Sequence, residues 1–101
     1  MGRKVEYNPF FFEDLFCAGQ RFEEEKAGLG ERFSAAIQAT LQRVIDFPES
    51  CPFFKEDLRR AVVHEFGFLV IYRATPGSLS FVGIVHGARD VDRWLKRRAK
   101  T

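Results

Sequence analysis

The spacing of apolar residues changes near Pro48, and this change divides the 101-residue chain into a helical part and a strand part. Before Pro48, apolar side chains recur every three or four residues, which is the period of an amphipathic helix. After Arg60, β-branched and aromatic residues dominate and are interrupted by turns that contain Gly or Pro. Helices followed by strands in this order predict an α+β fold.

The N-terminal part carries clear signals for where elements begin and end. Polar and apolar residues alternate over Lys4–Tyr7, which predicts a short strand. Asn8 and Pro9 then form a helix start, because the Asn side chain accepts a bond from a free helical N–H and Pro needs no donor at the first position. We predict a first helix over 9–26 and, after a Gly-containing turn, a second that stops before Pro48. The two helices form an antiparallel hairpin.

The C-terminal part predicts three strands, over residues 61–64, 66–73 and 79–86, arranged as an antiparallel meander. Residues 49–57 contain Pro52 and are predicted to be an irregular anchored loop, and residues 92–100 supply a small helix. The predicted order is βααβββα in a single domain over residues 1–101. An N-terminal strand and an α-helical hairpin pack on an antiparallel β-sheet, and a short C-terminal helix follows.

The predicted central strand is apolar on both faces. Because side chains alternate along a strand, Phe68, Val70 and Tyr72 share one face, while Leu69 and Ile71 share the other with Arg73. The helix hairpin covers one face. The second face must be covered by the small terminal helix or by a partner chain.

Several classes of protein are excluded by composition. Two cysteines without Cys-x-x-Cys spacing and two histidines do not make a zinc ligand set, so we expect no metal and no cofactor. The N-terminus lacks the apolar segment of a signal peptide, and no apolar run approaches the roughly 20 residues needed to span a bilayer. We expect a cytoplasmic protein with reduced thiols and no membrane partner.

Basic residues are concentrated at the C-terminal end. The formal net charge is +2, but residues 89–101 hold six bases and two acids. This excess predicts an acidic partner, with the solvated face of a last helix as an equal alternative for the later bases. Arg89 lies at a predicted strand end, outside that helix, where it either pairs with Asp90 or Asp92 or contacts a partner.

Other candidate site residues lie on or beside the strands. Arg60 and Arg73 either bind an acidic partner or pair locally with an acid, and pairing of the last two strands is expected to bring Arg73 close to Arg89. His86 is in phase with an apolar face, which favours a structural role over a catalytic one. His64 is the alternative titratable group.

Aromatic residues supply the remaining candidates. Tyr72 is predicted to lie in the core, and Trp94 to pack on the sheet, although a tryptophan can also anchor an interface. The three rings of residues 10–12 cannot all be buried on one helical face. We therefore predict that Phe10 or Phe11 contacts a loop, a second copy of the chain or another partner.

The order of these segments resembles the ParE branch of the RelE/ParE toxin superfamily over nearly the whole chain. The resemblance rests on Arg60, on Phe66-Gly67-Phe68, on Val70-Ile71-Tyr72-Arg73, on Ile84-Val85-His86-Gly87-Ala88-Arg89-Asp90 and on Trp94. The predicted second helix also begins and ends as in the family, with Gly30-Glu31-Arg32-Phe33 at its start and Ile45-Asp46-Phe47-Pro48 at its end. Gly67 departs from the family, which often has Pro there.

The resemblance implies the toxin half of a bacterial type II toxin–antitoxin pair, which forms a hetero-oligomer with a cognate antitoxin. ParE members poison DNA gyrase by binding it, whereas RelE members cut messenger RNA on the ribosome with a basic cluster and often a C-terminal Tyr or His. The segment after Arg89 has no such Tyr or His, so gyrase inhibition without chemistry is preferred. We expect no sequence-specific nucleic-acid binding.

The resemblance leaves two further functions open. In the ParE-like interpretation the partner-binding residues are Arg60, Arg73, Arg89, Trp94, Phe10 and Phe11. In the nuclease alternative His86 handles the proton, and Arg60, Arg73 and Arg89 hold the phosphate. The third possibility is a non-toxic relative that only binds an antitoxin.

Overall fold

The computed structural model describes residues 3–99 and confirms the α+β class. The elements in chain order are β1 (Lys4–Tyr7), α1 (Phe11–Glu25), α2 (Leu29–Asp46), β2 (Phe53–Lys55), β3 (Leu58–Val63), β4 (Phe68–Ala74), β5 (Ser78–His86) and α3 (Val91–Ala99). Within the described residues, no helix is both long enough and apolar enough to cross a membrane.

The five strands form one sheet in the order β1-β5-β4-β3-β2. The pairs from β2 to β5 are antiparallel, as the meander predicts, and β1 joins the edge parallel to β5. The short strand β2 lies inside the segment predicted to be a loop. Its three residues follow Pro52 and pair with β3 through an irregular register, so they are too few to show a strand period.

The helices lie close to the predicted signals, but Asn8 does not cap α1, whose N-cap Phe10 provides no side-chain cap bond. The Asn8 Oδ1 accepts a hydrogen bond from the Phe10 N–H at 2.9 Å, and α1 begins at Phe11, two residues after the predicted start. Between the helices, Gly28 adopts a positive φ of 89°, which favours glycine. The Glu23 carboxylate accepts hydrogen bonds from the N–H groups of Gly28 and Gly30 and so satisfies two donors at the start of α2.

The larger core lies between the helix hairpin and the sheet. Phe11, Phe33, Ile37, Val70 and Phe81 are buried there, together with Val44 and Tyr72. Tyr72 donates its hydroxyl hydrogen to the Pro48 carbonyl at 2.8 Å, and burial raises the pKa of the phenol. The prediction that Tyr72 lies in the core is confirmed.

The smaller core lies on the opposite face of the sheet, under α3. Leu58, Ile71 and Val85 are buried, and Trp94 and Leu95 of α3 pack against them. The terminal helix, rather than a partner chain, therefore covers this part of the second face. Another part stays open, because Val62 on β3 is 53% exposed.

Candidate functional site

The end of β5 and the loop that follows it position His86 and Arg89. His86 pairs with Phe68 across the sheet, and the His86 ring lies edge-on to the Phe68 ring with 5.0 Å between centroids. The His86 Nδ1 accepts a hydrogen bond from the Ala88 N–H at 3.0 Å, so the neutral ring carries its proton on Nε2. The residue is exposed at the end of the strand, and its ring lies on the apolar hairpin face of the sheet, as its phase predicts.

His86 and Arg89 line one groove of about 360 Å³ between α1, the end of the sheet and the start of α3. Arg21, Glu25 and Cys17 of α1 line the same groove. Within residues 3–99, the Arg89 guanidinium forms no ion pair, although its backbone N–H donates to the His86 carbonyl at 3.0 Å. We call this region the His86 groove.

Arg73 lies far from the His86 groove, and the expectation that it approaches Arg89 is wrong. In the antiparallel register Phe68 is opposite His86, whereas Arg73 is opposite Ser80. Arg73 is five residues from Phe68 in β4, and at about 3.4 Å per residue it lies roughly 17 Å along the strand from the position opposite His86. Its Nε donates to the Asp57 Oδ2 at 2.7 Å, so the local ion pair is the correct reading.

Arg60 lies on the other face of the sheet from His86. It lies two residues after Leu58 in β3 and therefore shares the face on which Leu58 packs under α3, while the His86 ring packs on the hairpin side. Arg60 lines a separate cavity with Val62 and Leu69, and its guanidinium forms no ion pair within residues 3–99. His64, the alternative titratable residue, is exposed in the turn after β3.

Trp94 packs on the sheet, as predicted, and Gly83 makes room for it. A side-chain Cβ at Gly83 would lie 2.6 Å from the Trp94 Cζ2 and 2.7 Å from the Asp14 Oδ2. The close approach of α3 to β5 therefore depends on this glycine, which lies beside a register shift in the β4–β5 pair.

The strongest polar contact of α3 is an ion pair that the sequence analysis missed. Arg98 donates to both carboxylate oxygens of Asp14, at 2.7 and 2.9 Å, and the side chains are only 11% and 17% exposed. The Asp14 Oδ2 also accepts a hydrogen bond from the Ile84 N–H at 3.2 Å. Arg98 lies four residues after Trp94 on the same helix face, and this spacing was the only available signal.

The other end of α3 is held at the surface. The Asp90 Oδ1 accepts a hydrogen bond from the Arg93 N–H at 3.1 Å and so caps the helix. Lys55 of β2 donates to Asp92 at 2.9 Å, and this hydrogen bond raises the pKa of the Lys55 ammonium. Arg93, Lys96 and Arg97 remain exposed. They give α3 a basic outer face.

The phenylalanine run divides between core and surface. Phe11 is completely buried, so it contributes to the hairpin core and the expectation that it binds a partner is corrected. Its side chain points inward because it begins α1 directly over the sheet, where its ring contacts Phe81. Phe10 is 38% exposed and lies 5.5 Å from the Arg98 guanidinium. Phe12, which was not among the predicted contacts, is 58% exposed.

The predicted cationic cluster is thus dispersed over three places: the His86 groove, the open second face and the far end of the sheet. Chemistry on one phosphate requires its acid, base and cations within hydrogen-bond reach of the same atoms. Of the four predicted residues within 3–99, only His86 and Arg89 line a common groove, which Arg21 also lines. Within residues 3–99, no group of three or more His, Cys, Asp or Glu side chains is arranged to hold a metal ion.

No protein-family model matches the chain, and no curated protein sequence matches it. Among solved structures, the chain is similar to the YafQ toxin in the E. coli DinJ–YafQ toxin–antitoxin complex, with 18% identity and a TM-score of 0.66 over 87% of this chain and 96% of that one. It is also similar to ParE in a chromosomal ParDE system from P. aeruginosa, with 12% identity and a TM-score of 0.63 over 83% and 95%. The chain therefore has the same fold as these two proteins.

Proposed function

We propose that this chain is the toxin of a bacterial type II toxin–antitoxin pair and that a cognate antitoxin neutralises it in a hetero-oligomer. The proposal is supported by the two similar structures, which come from toxin–antitoxin systems. It is also supported by large apolar side chains left on the surface, since a partner would remove them from water. Phe12, Phe16 and Phe47 are 58%, 65% and 65% exposed.

We further propose that the toxin acts by binding DNA gyrase in the cytoplasm and performs no chemistry of its own. The observation that carries this proposal is the separation of Arg60 and Arg73 from His86 and Arg89. Four groups on two faces and at two ends of a sheet do not act on one phosphate. They are suited to contacting a large acidic surface, with Arg89 and the basic outer face of α3 as the proposed contacts. The ParE resemblance directs this interpretation to gyrase.

The test is inducible expression in bacteria without an antitoxin, followed by growth, the DNA-damage response and mRNA integrity. We expect growth arrest with damage signalling and intact mRNA. The Arg89→Glu variant should lose arrest, because charge reversal repels an acidic target. Arg32→Glu is the matched control, since Arg32 is an exposed base on α2 with only a loose 3.5 Å pair to Glu65. Arrest without damage signalling would contradict the gyrase proposal.

A second candidate function is ribosome-dependent mRNA cleavage, and the common position of His86, Arg89 and Arg21 in one groove favours it over other enzymatic functions. In this case the His86 Nδ1 must first release the Ala88 N–H, after which the imidazole takes the 2′-hydroxyl proton there and the two guanidinium groups hold the phosphate. Codon-positioned mRNA cuts that disappear in His86→Ala would establish it. Cuts that persist in His86→Ala would exclude this mechanism.

Normal growth with folded, soluble chain would contradict toxicity under either mechanism. The chain would then be a non-toxic relative that binds an antitoxin. Co-expression with the product of a neighbouring gene for a small DNA-binding protein tests for such a relative. A stable complex would still form although the chain causes no growth arrest.

A further inference from the structure

The outer edge of β1 is open to another strand. β1 is the last strand of the sheet, and all four of its residues are exposed. The Lys4 N–H donates to the Gly77 carbonyl at 3.1 Å and the Asn8 N–H donates to the Phe81 carbonyl at 2.8 Å. Because backbone groups alternate along a strand, Val5 and Tyr7 direct their N–H and C=O groups away from β5. These groups form a free template for strand pairing.

The two faces of β1 differ in chemistry. The Tyr7 ring lies 5.1 Å from the Phe12 ring on the hairpin side, and Val5, Tyr7 and Phe12 are 38%, 37% and 58% exposed. They form an apolar strip along the edge. Lys4 and Glu6 point to the opposite side, are exposed, and form no ion pair within residues 3–99.

We propose that two copies of this chain associate through antiparallel pairing of their β1 strands, with a two-fold axis at Val5. Ladder hydrogen bonds form only between residues whose backbone groups point outward. The possible registers are therefore those that pair Val5 or Tyr7 of one copy with an outward-directed residue of the other. With the axis at Val5, the two Val5 residues exchange both backbone hydrogen bonds. Each Lys4 is then opposite Glu6 of the second copy, and each Tyr7 lies diagonal to Val5 of the second copy on the apolar side.

The charges select this register over its neighbours. An axis at Glu6 places the two Glu6 carboxylates opposite each other, and an axis at Lys4 places the two ammonium groups opposite each other, which is unfavourable in both cases. Protected edges commonly carry charges that repel a second strand. The sequence Lys4-Val5-Glu6 is instead self-complementary under a two-fold axis, and this complementarity identifies a second copy as the partner.

The interface is small. Four strand residues and the ring of Phe12 on each copy bury less than the roughly 1,200 Å² in total at which stable specific interfaces begin. The dimer should therefore dissociate on dilution through the micromolar range. This inference is independent of the proposed toxicity.

Analytical ultracentrifugation of the purified full chain tests the proposal over about 1 μM to about 1 mM. Wild type should shift from monomer to dimer. Lys4→Glu and Glu6→Lys should each weaken self-association by at least about tenfold, because each places like charges opposite one another. An equimolar mixture of the two variants should restore dimerisation, and so should the double exchange in one chain. Lys26→Glu, an exposed change after α1, is the control and should behave as wild type.

Circular dichroism confirms that each variant is folded before its association is compared. A wild-type chain that stays monomeric at about 1 mM overturns the proposal. So does a dimer that both single reversals leave unchanged, because the contact then lies elsewhere. A mixture that fails to associate while wild type dimerises would also overturn the proposed register.

Discussion

The two faces of the sheet are covered in different ways. On the hairpin face, α1 and α2 bury a continuous set of large side chains, and the rings of Phe22, Phe33, Phe66 and Phe68 contact one another at 5.0 to 5.8 Å. On the α3 face, the buried residues among positions 3–99 are Leu58, Ile71 and Val85. There the Arg98–Asp14 ion pair and the Trp94–Gly83 contact supplement a small apolar core. The hairpin face is stabilised mainly by the burial of large side chains, and the α3 face by a few specific contacts.

This difference predicts where a substitution is most costly. Phe33→Ala removes a fully buried ring from the hairpin core, and we expect a loss of about 3–5 kcal/mol in the free energy of unfolding. Urea denaturation measures it. The control is Phe12→Ala, which removes a ring that is 58% exposed and should cost much less. Equal losses in the two variants would contradict the assignment of the core.

The ion pair under α3 should give the next largest effect. Arg98→Ala leaves the Asp14 carboxylate largely buried without its cation, at a cost of about 2–3 kcal/mol. Arg97→Ala, one residue away on the exposed side, is the matched control and should change stability little. If both substitutions cost the same in urea denaturation, the pair does not anchor α3.

A smaller loss is expected from crowding at the same contact. Gly83→Ala introduces a Cβ close to the Trp94 ring, and we expect α3 to shift, with a loss of about 2 kcal/mol. Trp94 is the only tryptophan, so its fluorescence reports α3, while far-UV circular dichroism reports the whole fold. The fluorescence transition should occur at lower urea than the circular dichroism transition. Gly77→Ala, at a position with open space, is the control.

The smallest effect concerns the hydrogen bond that ties the sheet to the end of α2. Tyr72→Phe leaves the Pro48 carbonyl without its donor and should cost about 1 kcal/mol at pH 8. Burial raises the pKa of Tyr72, so its stabilising contribution is complete below the ordinary value of about 10 and is lost as the pH rises above it. Wild type should therefore lose more stability than Tyr72→Phe between pH 8 and about 11. An identical loss in both proteins would contradict this linkage.

The hairpin face could be predicted because short-range sequence patterns determine which of its residues are buried. Apolar periods define α1 and α2, Pro48 ends the second helix, and alternation in β4 identifies which side chains meet the hairpin. The same alternation predicted a second apolar face. The terminal helix was one of the two predicted covers, but the ion pair that holds it there could not be predicted, because Arg98 and Asp14 are 84 residues apart.

The candidate site was predicted less well than the fold. Arg73 and Arg89 each follow the C-terminal part of a strand, but the C-terminal ends of antiparallel neighbours lie at opposite ends of the sheet. Arg60 lies inside β3, which begins three residues before the strand predicted over 61–64, and its face follows from the register with β4. Phe11 and Phe10 are adjacent in the sequence, and only the starting residue of α1 decides which ring is buried.

The most direct test of the proposed function is a supercoiling assay with purified DNA gyrase and the purified chain. If the chain is a binding inhibitor, supercoiling is blocked and cleaved DNA accumulates, and His86→Ala inhibits as well as wild type because no proton transfer is involved. Folded chain that neither blocks supercoiling nor accumulates cleaved DNA would contradict the account.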